Sequence, residues 1–264
     1  MSFYTICMTF IIYSFLGWCA EVVYAAADRG TYVNPGFLTG PVCPIYGVGM
    51  VLIKLLLDPM KENLFLLFFG SMLLASLLEF IAGFLMDKIS RCKWWDRSDK
   101  PLNLGGYVSL KTSLLWGVGA VAVILGADPA IQSVVKTLSG WFMVVIMVIV
   151  LLLIGADLVL SIMRTRKFLK RVSELEDMYE NVKRIADKLG SGSAAVDAER
   201  EILEQKYRRL ASEFTLRCRN LALRFSRIVK AFPTMTSKYY PNAVERVKAA
   251  VGKLSEENKA EYGD

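Results

Sequence analysis

The chain contains no histidine. That removes the commonest general base and metal ligand, and it excludes Ser-His and Cys-His catalysis within the chain. Its five cysteines, Cys7, Cys19, Cys43, Cys92 and Cys218, include no C-x-x-C pair, which argues against structural zinc and a disulfide framework. No G-x-x-x-x-G-K-[ST] loop occurs, so the chain carries no ATP-binding motif. Positive charge is missing from the N-terminal run, where the first cation is Arg29. Without a basic n-region, that run reads as a retained span and not as a cleavable signal.

What is abundant is apolar surface. Of 264 residues, 54% are hydrophobic, and the mean hydropathy is +0.40, well above that of soluble domains. Residues 1–163 hold 10 Lys/Arg and 10 Asp/Glu, whereas 164–264 hold 22 and 15, so the whole net charge of +7 lies in the tail. A membrane domain over 1–163 and a helical domain over 164–264 follow. Five spans are expected at roughly 3–27, 42–57, 63–86, 110–126 and 139–163, since about 20 apolar residues cross a bilayer. The second is short and holds Pro44, Gly47, Gly49 and Lys54, as in a broken or re-entrant helix. Lys88, Arg91, Lys93, Arg97 and Lys100 load the 87–109 loop, and Arg164, Arg166, Lys167, Lys170 and Arg171 open the tail. The positive-inside rule puts both in the cytoplasm, with the N-terminus and the 58–62 and 127–138 loops outside.

One acid interrupts each of the three longest apolar runs: Glu21, Glu79 and Asp157. Intramembrane carboxylates are costly and face protein or water. In the expected topology all three lie roughly 9–10 Å below the inner surface, at one level. Ser71, Ala75 and Gly83 share the Glu79 face, and Gly17, Trp18, Tyr24 and Ala25 lie around Glu21; small residues let helices approach closely. Asp157 follows Gly155 and Ala156. Between the first two spans, residues 34–49 are rich in Pro35, Pro41 and Pro44 and in Gly36, Gly40, Gly47 and Gly49. Such a stretch either caps two helix ends or leaves backbone groups free to line a polar site. The bland reading of the acids is pairing with Arg29, Arg97 or backbone N–H groups.

Several of these residues carry a resemblance. Gly17-Trp18 with Glu21, Gly36-Phe37-Leu38, Gly40-Pro41, Pro44-Ile45-Tyr46-Gly47 with Gly49, Leu78-Glu79 with Gly83, Trp95-Asp96, and Asn103 with Gly106 resemble the CmpB-type ABC-transporter permeases of bacteria over about residues 3–125. The pattern differs at Pro35, where that family favours arginine, and at Arg97, where it favours tyrosine. The resemblance implies transport in a bacterial inner membrane, with a separate ATPase subunit supplying any ATP use. Five spans are few for a permease, which implies a homo-oligomer or heteromer.

In the tail, Phe168, Val172, Leu175, Tyr179, Val182, Ala186 and Leu189 follow a heptad seam. After Gly190–Ser193, a second run extends from Leu203 to Phe232 with one stutter. A helical hairpin with coiled-coil character and a third helix over 242–260 is expected, either as an intramolecular bundle or as a docking arm. The basic 164–171 cluster suits anionic membrane lipid, and the mixed charges beyond it do not suit nucleic acid.

Three functions follow. The first is a membrane subunit of a transport system, in which Glu21 and Glu79 bind a cation or carry protons and Asp157 assists. Trp18, Asn34, Tyr46, Asp96 and Asn103 would line this site, with the backbone of Gly36, Gly40, Pro41, Pro44, Gly47 and Gly49. The second is an enzyme acting on inner-leaflet lipid through carboxylates and a divalent cation, Mg²⁺ or Mn²⁺. The third is a non-catalytic scaffold.

Overall fold

The computed structural model describes residues 1–30, 32–138, 140–191 and 197–262. Two compact units emerge: Met1–Lys88 with Trp95–Met163, and Ile89–Trp94 with Arg164–Asp264.

In the first unit, α1 (Phe3–Arg29) starts where the Ser2 side chain accepts from the Thr5 N–H, and it ends at Gly30, φ 65°, whose N–H bonds the Ala26 carbonyl. Glycine takes that left-handed stop without strain. α2 (Pro44–Leu57) opens on a proline, which needs no N–H partner in a first turn. α3 (Leu64–Ser90) follows, then a hairpin of β1 (Asn103–Leu104) and β2 (Val108–Ser109). α4 (Leu110–Ala122), a π turn (Val123–Ala127) and α5 (Asp128–Thr137) run on as one helical stretch. α6 (Trp141–Gly190) leaves the first unit at Met163.

Four stretches are long and apolar enough to cross a membrane: Phe3–Asp28, Leu64–Ser90, Leu110–Thr137 and Trp141–Gly190. This corrects the expected boundaries in two places. The second span is helical only from Pro44, and its 14 residues rise about 21 Å, short of a ~30 Å core. The fourth does not stop at Gly126, and most of the expected 127–138 loop is helix. The wide π turn before Pro129 accommodates a residue that lacks an N–H and would clash in a regular α-turn. Ser139, the expected start of the fifth span, lies outside the described residues.

Tyr13, Met50, Ile53, Leu57 and Leu67 form one core cluster, and Cys7, Met8, Val135 and Met147 another. Much apolar surface stays exposed, including Phe65, Leu73, Leu115, Leu152 and Leu153, as lipid-facing helices require.

The second unit is the α6 segment from Arg164 with α7 (Asp197–Ala231) and α8 (Pro241–Tyr262). The seam residues Phe168, Val172 and Leu175 are buried, as are Ala243, Val244, Val247 and Val251 of α8. Buried Glu176 accepts from Asn242 Nδ2 and the Ala243 N–H, both at 2.7 Å, and so caps α8 from another helix. α6 ends at Gly190; Gly192 and Ser193 of the expected break lie outside the described residues. Ile89–Trp94 is sewn into this unit. Lys93 and Thr236 exchange backbone hydrogen bonds at 2.8 and 2.9 Å, Ser237 Oγ donates to the Arg91 carbonyl at 2.7 Å, and Trp94 meets Phe232 edge-on at 4.8 Å.

Cys92 and Cys218 are both buried, and burial pushes the Cys218 thiol up to about 11. A maleimide reagent therefore leaves both unmodified in the folded chain even after permeabilisation, and modifies them in denaturant. Rapid native labelling would contradict this packing.

Candidate functional site

After α1 the chain comes back irregularly. Asn34 organises the return: its Oδ1 accepts from Trp18 Nε1 and the Gly36 N–H, each at 3.0 Å, and its Nδ2 donates to the Thr39 carbonyl at 2.9 Å. The Cys43 N–H then bonds the Ser14 carbonyl at 2.9 Å. Irregular backbone thus lies beside Ser14 and Trp18, in the middle of the α1 apolar run, and α2 begins there. Such backbone survives at membrane depth only where protein or water covers it.

Two glycines make the contact between α1 and α2 close. A Cβ on Gly17 would sit 2.2 Å from Tyr46 Cγ, and one on Gly47 would sit 2.4 Å from the Phe10 carbonyl oxygen. The second obstacle is backbone and cannot rotate aside. Gly47→Ala is expected to cost about 1–3 kcal/mol and to loosen Tyr46. A thermal melt of the detergent-solubilised chain measures this, and an unchanged midpoint would refute the close approach.

The three acids have different partners. Tyr46 Oη donates to Glu21 Oε1. The Tyr46 ring meets Trp116 of α4 edge-on at 5.3 Å. Trp116 Nε1 donates to Glu79 Oε2 at 3.2 Å, and Arg97 donates to Glu79 Oε1 at 2.6 Å. Arg97 also donates to the Tyr107 carbonyl, as does Trp95 Nε1, each at 3.0 Å. Gly83 leaves room for this loop, since a Cβ there would meet Tyr107 at 2.9 Å and Trp95 at 3.1 Å. Burial, reinforced by a 2.5 Å hydrogen bond donated to Asp87, pushes the Tyr107 phenol up to about 12. Glu21, Tyr46, Trp116, Glu79 and Arg97 form one continuous chain of contacts across α1, α2, α4, α3 and the 95–109 loop. Glu79 is buried and paired. Among the described residues no cation pairs with Glu21; the Arg29 side chain lies outside them.

Asp157 stands on another branch. Its Oδ2 accepts the Gly40 N–H at 2.8 Å, and Ser161 donates to its Oδ1 at 3.4 Å. A carboxylate on α6 thereby holds the irregular return segment by its backbone. Pro41 beside it is exposed, Gly36 packs against the Asn34 oxygen, and Gly49 lies against Leu78.

Asp96 and Asn103 make hydrogen bonds within their own loop. Asp96 accepts from the Ser98 N–H and Oγ. Asn103 donates to the Ser98 and Lys100 carbonyls and accepts from the Gly106 N–H. Both shape their own loop. Among the described residues no three acidic or cysteine side chains gather to hold a metal ion.

Sequence reasoning singled out Trp95 only as part of the resemblance and missed Trp116 and Tyr107, whose lone polar atoms give no periodic signal. It also missed a second polar cluster. Lys54 of α2 pairs with Asp128 at the head of α5, with side chains 11% and 9% exposed. Tyr13 Oη donates to the same carboxylate at 2.8 Å, and Gln132 reaches both Asp128 and Thr9. Opposite charges in two apolar neighbourhoods were the available signal.

These features define an all-α membrane protein whose irregular 32–43 segment folds back beside α1 and whose acids bond to neighbouring elements. The chain belongs to the CmpB family, described as "Putative ABC-transporter type IV", whose model matches residues 8–162. That match takes in Glu21, Glu79, Asp157 and the whole return segment, and it leaves out the tail. No curated protein and no solved structure matches the chain.

Proposed function

We propose that the chain is the membrane subunit of a transport system, that a separate ATPase subunit drives it, and that its polar site takes a cation or a proton at Glu21. One observation carries this reading: Glu79 is neutralised by Arg97 and Asp157 is occupied by a backbone N–H, whereas Glu21 holds only the Tyr46 hydroxyl among the described residues. An intramembrane carboxylate without a cation partner is a site for protons or cations. Tyr46 and Trp116 link its occupancy to the Glu79–Arg97 pair. The unwound segment pinned by Asp157 resembles in kind the broken helices from which transporters build polar sites.

A thermal-shift screen of the full chain in detergent, with inorganic cations and small organic amines, tests the site. A ligand at 100 times its Kd stabilises by about 2.7 kcal/mol, and Glu21→Gln is expected to abolish the shift. No shift with any cation, or an equal shift in Glu21→Gln, would remove the proposal.

The tail and the 87–109 loop face the cytoplasm in this reading. Its support is the cationic loading of both segments and the packing of Ile89–Trp94 into the tail unit. Lys61 and Lys100 are each 54% exposed. In intact cells an impermeant thiol reagent should label Lys61→Cys and not Lys100→Cys, in a background without native cysteines. The reverse pattern would invert the topology.

A further inference from the structure

We infer that the groove between α6 and α7 in the tail unit binds the headgroup of an anionic phospholipid. It encloses about 560 Å³. Its rim is cationic: Lys167, Lys170 and Arg171 come from α6, and Arg217 and Arg224 from α7. Its floor is apolar, made of buried Leu175, Leu221 and Phe225. Phe168 and Phe225 meet there at 5.4 Å between ring centroids, and these bulky rings space the two helices. α7 departs from helical geometry at Phe225, φ −120° and ψ 19°, so the irregular turn coincides with the floor.

Among the described residues two of the five rim cations are paired, one of them with Glu174, which also lines the groove, and three are not. Arg171 pairs with Glu174 at 3.0 Å, and Arg217 with Glu213 at 2.6 Å. Among the described residues Lys167, Lys170 and Arg224 take no acidic partner within hydrogen-bonding reach; Arg224 lies over the Phe225 ring at 5.7 Å. Ammonium and guanidinium groups offer charge-assisted hydrogen bonds to phosphate oxygens. The Leu175, Leu221 and Phe225 floor suits methylenes and leaves a free phosphate without use for it. An amphiphile whose phosphate adjoins an apolar part matches both surfaces. The groove's cations on α6 begin at Lys167, four residues after Met163, where the apolar run ends, about 6 Å further along a helix. Basic groups at this position attract anionic lipid by about 1 kcal/mol each.

This inference rests on the membrane reading of residues 141–163. Lipid capture in micelles does not depend on which side the tail faces, so a reversed orientation and a failed capture are separable results. The full chain in a neutral detergent is titrated with short-chain phosphatidylglycerol, short-chain phosphatidylcholine, inorganic phosphate and ATP, and binding is read by native mass spectrometry. Phosphatidylglycerol is expected to be retained and phosphatidylcholine not, with neither phosphate nor ATP displacing the lipid at equal concentration. Lys170→Gln with Arg224→Gln is expected to weaken capture about 30-fold. Lys253→Gln with Arg208→Gln, an equal loss of charge outside the groove, should leave it within about 3-fold of the native chain. Helix content by circular dichroism confirms that both pairs fold. Equal capture of phosphatidylcholine, displacement by phosphate or ATP, or equal loss in the two double variants would each overturn the inference.

Discussion

Asp128→Asn is expected to lower the stability of the solubilised chain by about 3–5 kcal/mol, because it strands a buried lysine. Lys54 and Asp128 are each about a tenth exposed, and Tyr13 and Gln132 occupy the rest of the carboxylate. Lys54→Met leaves the opposite charge stranded and should cost a similar amount. The pair Lys54→Met with Asp128→Leu should recover most of the loss, since two apolar groups need no counter-ion and buried ion pairs often contribute little net stability. Unfolding in a denaturing detergent, followed by helix content, reads all three. Losses below about 1 kcal/mol in both single variants would mean that water reaches the pair.

Trp94→Ala should be nearly as damaging, at about 3–5 kcal/mol, but in the tail unit. The indole is 2% exposed, packs on Phe232 at 4.8 Å and donates to Ser90 Oγ at 2.9 Å. Trp94→Phe keeps a ring and loses the donor, so it should cost far less. Hydrogen exchange of the full chain locates the effect: protection of residues 228–247 should collapse in the alanine variant and survive in the phenylalanine one. Unchanged protection in Trp94→Ala would show that the backbone exchange between Lys93 and Thr236 suffices to hold the segment.

The long apolar runs behind α1, α3 and α6 were legible in the sequence because length and hydropathy dominate the choice of structure in lipid. The heptad seam of the tail was legible for the same kind of reason, and Phe168, Val172 and Leu175 are buried where the seam puts them. Arg97 was foreseen as a partner for the acids, and it holds Glu79. What escaped depends on pairings distant in sequence. Lys54 meets Asp128 across 74 positions, and Arg91 meets Ser237 across 146; no local period reports either. Residues 127–138 were expected as a loop, and a π turn ahead of Pro129 carries the helix on into them. Asp96 and Asn103 were expected to line the site with the acids; the structure gives both of them hydrogen bonds inside the 96–106 loop.

The pairing of Lys54 with a partner 74 residues downstream also bears on how the protein is made. A ribosome adding about 5–20 residues per second produces Asp128 roughly 4–15 s after Lys54. For that interval a short, lysine-bearing helix has no counter-ion and cannot settle stably in hydrocarbon by itself. Insertion of α2 is therefore expected to wait for α4 and α5, and a chain truncated before Asp128 should leave α2 accessible to an impermeant reagent. On that order α2 (Pro44–Leu57) is expected to be the last of the early helices to settle.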